Sequence, residues 1–197
     1  RTDPTRSGAA GAVGDIGSHA MHLIEFITGL KLQSVAADLS TFVEGRKLDD
    51  DASILIRMNE GVKGSLSISQ IATGEENNFS VSVYGDNGAL HWRQENPNFA
   101  IFNKIGKPNQ IITRGGPIQQ DGSLANLRIP PGHPEGFLEA FAQIYTDVAD
   151  VIQGSYNSDE IKKILPNEND GLHIMKFINA SVNSSKNNSI WTDLDII

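Results

Sequence analysis

Asp15 and His19 stand four residues apart in "GDIGSHAMHLIEF", residues 14–26, at the entrance to an apolar segment. On an α-helix that spacing sets both side chains on one face. A carboxylate beside an imidazole favours the charged ring and fixes its tautomer, which is what a histidine needs in order to exchange a proton with a hydroxyl group. The same spacing suits a plainer role, with Asp15 offsetting the helix dipole and His19 an ordinary polar helix residue, and spacing alone leaves both open. His22 lies three residues past His19, so Asp15, His19 and His22 hold the ingredients of a metal site. A catalytic ion wants a well-defined ligand set with outer support, and no supporting residue can be placed, so a metal is not expected. His91, in "GALHW", and His173, at a helix start, read as structural.

The pair needs a helix to carry it. Ala20, Leu23, Ile24 and Ile27 have the spacing of a buried helical stripe over residues 17–28, and Gly29 is a stop signal. From 32 to about 113 the texture changes to short runs of period two, including "SILIRM", "KGSLSISQI", "FSVSVYG" and "GALHW". Turns at "NEG" (59–61) and "GDNG" (85–88) connect them as an antiparallel meander. Ser65, Ser67 and Ser69 alternate with Leu66 and Ile68, which gives that strand one packed and one polar face. Residues 114–136 are rich in glycine and proline and read as a long loop of the kind that covers or borders a site. Pro134 then suits a first helical position, and Phe137, Phe141, Ile144, Tyr145, Val148 and Ile152 mark a buried stripe. Asn169 or Asp170 caps a third helix over about 170–185, and "IWTDL" returns as a short edge strand. The order predicts an α+β fold: an open, mainly antiparallel sheet with helices packed on one face, formed by residues 1–197 as a single domain.

Composition narrows the function classes. A net charge of −8 with scattered basic residues argues against a nucleic-acid partner. No apolar stretch approaches the roughly 20 residues that span a bilayer, so no membrane role is expected. The chain has no cysteine, which excludes disulfides and thiol chemistry and is compatible with a cytoplasmic protein. Gly8, Gly11 and Gly14 do not form a dinucleotide fingerprint, and no strand precedes them. They suit a close approach of backbone to a neighbour or ligand. The opening "RTDP", with no initiator methionine, is read as a piece of a longer protein.

Taken together, "RTDPTRSGAAGAVGDIGSHAMHLIEFITG", "SLSISQIATGEENNFSVSVYGDNGALHW", "PPGHPEGFLEAFAQIYTDVADVI" and "DGLHIMKFINASVNSSKNNSIW" resemble, in order, the C-terminal domain of the Gfo/Idh/MocA family of oxidoreductases. The resemblance implies a parent with two domains, in which a Rossmann domain carries NAD or NADP and a Glu-Lys-Pro lysine, and the α+β domain supplies substrate contacts and a dimer surface. It implies that His19 accepts the proton of a sugar, inositol or related polyol as hydride leaves for nicotinamide, with Asp15 orienting it and touching the substrate. By the same likeness Arg1 lies near the cofactor and the loop around His133 borders the substrate; His133 is read equally well as a helix-cap neighbour of Pro134. This chain has no Glu-Lys-Pro and no Rossmann fingerprint, so it is expected to be inactive without the N-terminal Rossmann domain of its parent. The serine face of the sheet is expected to make a homo-oligomer. The family also includes a galactose-pathway repressor that keeps the fold as a sensor, so a non-catalytic sugar-sensing member is the alternative, with a metal-dependent enzyme a third reading.

Overall fold

The computed structural model describes residues 3–117, 127–156 and 158–194. They fall into two compact units, the first made of Arg1–Gly74 with Pro166–Ile197 and the second of Glu75–Leu165. The first unit is discontinuous in sequence, so its last helix must return across about 90 intervening residues to complete its core.

In the first unit a short helix α1 (Pro4–Ser7) and a π-turn (Val13–Gly17) lead into α2 (Ser18–Thr28). Strands β1 (Leu32–Ser40), β2 (Asp51–Met58) and β3 (Lys63–Ser69) follow as an antiparallel meander. The expected edge strand is β8 (Thr192–Asp193), which pairs with Ser34 and Val35 and gives the order β3-β2-β1-β8. In β2, Ala52, Ile54, Ile56 and Met58 are buried while Ser53, Leu55 and Arg57 point to the other face. The buried face is covered by α2 and by the long helix of Glu168–Lys186, whose Phe177, Ala180 and Ser181 are almost fully enclosed. Helices on one face of an antiparallel sheet are thus present, as the sequence predicts.

Two details of the helices differ from expectation. Glu25 replaces Ile27 in the buried line of α2, which runs through Gly17, Met21, Ile24 and Glu25, while Ile27 is exposed. Glu25 tolerates burial because its carboxylate accepts from Leu32 N (2.7 Å), Lys31 Nζ (2.9 Å) and His173 Nε2 (2.8 Å). These bonds tie the end of α2 to β1 and to the last helix. The last helix is capped by Asn167, two residues before the expected cap, with Asp170 accepting from Asn167 N in return. Its Ser184 and Ser185 hydroxyls accept from Ala37 N (2.9 Å) and Leu39 N (3.0 Å), filling the stretch of β1 that the short β8 leaves uncovered.

The second unit begins with a separate antiparallel sheet of β4 (Ser80–Gly85), β5 (Gly88–Arg93), β6 (Phe99–Lys104) and β7 (Gln110–Thr113), so the predicted meander is divided between two sheets. Helices α3 (Phe137–Gln153) and α4 (Ser158–Ile164) complete it, and the last helix of the first unit is α5 (Glu168–Lys186). Helix α3 starts at Phe137, three residues past Pro134, with the Glu139 carboxylate accepting from Gly136 N (2.9 Å). Its expected buried stripe faces outward: Phe137, Phe141, Ile144, Tyr145, Val148 and Ile152 are 41–79% exposed. Asp147 is buried instead, bonded to Gln143 Nε2 (2.7 Å), while Arg128 reaches Ala142 O (3.0 Å). The Gln143–Asp147 bond lies within the helix, and Arg128 ties the helix to the loop before it.

Asp50 opens a pH-dependent element in the first unit. Burial works against its charge, but Phe42 N and Val43 N, each 2.9 Å from its carboxylate, together with Arg46, outweigh that and hold the carboxyl below the ordinary carboxylate value. A depressed folded value stabilises the fold above the unfolded value of about 3.9 and loses that contribution as pH falls through the folded one. Urea midpoints measured from neutral to acid pH should therefore fall more steeply for the wild type than for Asp50→Asn, with the gap closing at the acid end.

Candidate active site

The approach to Asp15 is built by one buried carboxylate. Asp49 accepts from Gly11 N through Oδ1 and from Val13 N through Oδ2 (2.8 Å), while its backbone carbonyl accepts from Ala12 N (2.9 Å). Three consecutive backbone N–H groups that precede the first helical bonds are thereby paired away from water. Gly11 is required by contact, since a Cβ there would lie 2.2 Å from Asp49 O. Gly17 is required on the other side, where a Cβ would meet Ile68 Cδ1 at 2.8 Å.

Between these glycines the backbone makes a π-turn, in which Ser18 N donates to Val13 O five residues back. Ser18 Oγ donates to Gly14 O (2.9 Å) and so occupies a carbonyl of the widened turn. Such turns are uncommon and recur at functional sites, because one extra residue per turn re-aims the side chains they carry. Asp15 sits in this turn and His19 in the first turn of α2, so their four-residue spacing runs through a widened segment. Gln70, just past β3, donates from Nε2 to Asp15 Oδ2 (3.2 Å). His19 is exposed, two residues from buried Met21 and so about 200° around the helix from it, facing away from the core.

His22 is half-buried on α2, and among the described residues no group of three or more His, Asp or Glu is placed to hold a metal ion. The metal-dependent alternative built on Asp15, His19 and His22 therefore finds no cluster. His133 belongs to the second unit, in the predicted long loop, where its ring is exposed and its carbonyl accepts from Arg114 Nη2 (2.6 Å). Arg114 also donates to Asn98 Oδ1 (2.9 Å) and Ile129 O (3.0 Å) and pairs with Glu135, so it fixes the described part of that loop after residue 126. Arg1 lies outside the described residues, as does the middle of the loop, 118–126. The residues missed from sequence are Asp49, Arg46, Gln70 and Arg114. The run "DDD" at 49–51, immediately before an apolar strand, was the available signal for Asp49, because three acids there cannot all face water.

Two antiparallel sheets with helices, carrying an Asp-x-x-x-His entrance, make the architecture of the α+β C-terminal domain of Gfo/Idh/MocA dehydrogenases. Residues 1–91 match the C-terminal domain of the GFO/IDH/MocA oxidoreductase family. An oxidoreductase from Sinorhizobium meliloti is 42% identical, with a TM-score of 0.86 over 92% of this chain and 51% of its own. An inositol dehydrogenase homolog from Azotobacter vinelandii, complexed with NAD+, is 27% identical with a TM-score of 0.90, covering 98% of this chain and 51% of its own. A second structure under that description holds NADH and myo-inositol. The oxidoreductase YfiI of Bacillus subtilis is 27% identical across 98% of this chain and 50% of its own length. The chain thus spans about half the length of the relatives it matches.

Every strand pairing among the described residues is antiparallel, so the parallel βαβ crevice that cradles a dinucleotide has no counterpart among them.

Truncating the Asp49 side chain should test the clamp. Asp49→Ala leaves two buried donors unpaired and is expected to cost roughly 2–5 kcal/mol, read as a lowered urea midpoint at unchanged slope.

Proposed function

We propose that this chain is the substrate-side domain of an NAD(P)-dependent dehydrogenase of a sugar, inositol or related polyol, with His19 as its acid–base residue and Asp15 orienting it. The observation that carries the reading is the placement of the pair: a widened turn clamped by Asp49 presents Asp15, and α2 directs His19 outward from the core. In the oxidative direction His19 takes the hydroxyl proton as the carbon gives up hydride, and in the reverse direction it returns that proton to the carbonyl oxygen. The nicotinamide, held in the main by the rest of the parent chain, supplies the hydride acceptor. Asp15 acts beside it as a fixed carboxylate able to accept from a substrate hydroxyl and to favour the charged imidazole. The inositol dehydrogenase homolog, seen with NADH and myo-inositol, supports a cyclic polyol as the first substrate to try.

In the full-length parent, His19→Ala should lower NAD(P)+ reduction with a polyol panel led by myo-inositol by roughly 10²–10⁴-fold. Wild-type rates in that variant would remove His19 from the chemistry. The 197-residue chain alone should reduce no NAD+ under the same assay, since hydride transfer requires donor and acceptor at near-attack distance.

We also propose self-association through the outer face of the first sheet, where Leu55 lies exposed among Ser53, Ser65 and Ser67. Light scattering should give twice the chain mass; a monomer at high concentration would count against it.

A further inference from the structure

A line of side chains reaches Asp15 from the far side of the first sheet's opening loop. Asp50 is fully enclosed at the start of β2, and its carboxylate is 3.6 Å from Arg46 Nη1. The same Arg46 Nη1 donates to Gln70 Oε1 (3.3 Å), and Gln70 Nε2 donates to Asp15 Oδ2 (3.2 Å). The two neighbours decide the orientation of the Gln70 amide, because its oxygen must face the guanidinium and its nitrogen the carboxylate. The backbone of Gln70 is pinned as well, its N–H donating to Asp50 O (2.8 Å), while Asp50 N donates to Ser40 O (2.9 Å). Both ends of the line are therefore anchored to one strand junction.

We propose that Gln70, backed by Arg46, is a positioning residue for the Asp15 carboxylate. The inference rests on the Asp15–His19 reading above. The Gln70 amide orients the Asp15 carboxylate through Oδ2, and Arg46 polarises that amide from behind, strengthening the bond. Gln70 ends the serine alternation of β3, at the point where the chain leaves the sheet beside the π-turn, so its side chain has the reach to bridge the two.

The test is a double-mutant cycle in the full-length parent, assayed by NAD(P)+ reduction with the polyol the panel identifies. Gln70→Met keeps the length of the side chain and removes both hydrogen bonds; kcat should fall roughly tenfold with KM changed less. In an Asp15→Asn background the same substitution should cost nothing further, since the group it positions has gone. Gln70→Glu, which sets a carboxylate against Asp15, should lower kcat more than Gln70→Met does. Thermal midpoints of the variants should stay near that of the wild type, because Gln70 is only half-buried. An equal loss on Gln70→Met in both backgrounds overturns the positioning role while leaving the Asp15–His19 reading intact. Full turnover by Asp15→Asn overturns both.

Discussion

The buried Asp49 carboxylate is the interaction on which the rest of the first unit depends. Its two oxygens and its backbone carbonyl accept from Gly11, Ala12 and Val13, fixing the path of the chain into the π-turn. An isolated buried carboxylate would be costly, and three orphaned backbone donors would be costly too; each cancels the other's penalty. Its neighbour Asp50 does the same for Phe42 and Val43 while holding Arg46. One dipeptide thus fixes both segments that flank the candidate site, the glycine approach on one side and the arginine loop on the other.

Much of the fold was legible because periodicity reports which residues avoid water. Gly29 does close α2 in a left-handed conformation, Gly85 and Gly88 do bracket a two-residue hairpin, and "IWTDL" does supply an edge strand. Periodicity does not say which neighbour covers a stripe. In α3 the apolar stripe is correctly periodic yet faces outward, while Arg128 bonds the helix on another side. In α2 a charged residue occupies an inner position, since Glu25 finds three donors that come from two other elements. No local pattern could announce that.

The site divides in the same way. Asp15 and His19 were expected as a spaced pair and by resemblance to a family motif, whereas the groups that fix Asp15 and its approach were not. Asp49 lies 36 residues from Val13 in sequence and Gln70 lies 55 from Asp15, so those bonds exist only once the sheet has formed. The π-turn, whose Gly17 lies against the end of the Ile68 side chain, was equally hidden. Of the glycines that looked like a failed nucleotide fingerprint, Gly11 lets the helix entrance lie against the Asp49 backbone.

The discontinuity of the first unit carries a consequence for how the chain is made. Helix α2, with His19, is synthesised before Glu75–Leu165, but Phe177, Ser184 and Ser185, which close its core and finish β1, come after that stretch. Until then β1, β2 and β3 can pair with one another, but the outer edge of β1 lacks the partners that Ser184, Ser185 and β8 supply. On the ribosome α2 is therefore made well before it is secured, and the nascent chain spends that interval with an unfinished sheet edge open to pairing with a neighbouring chain.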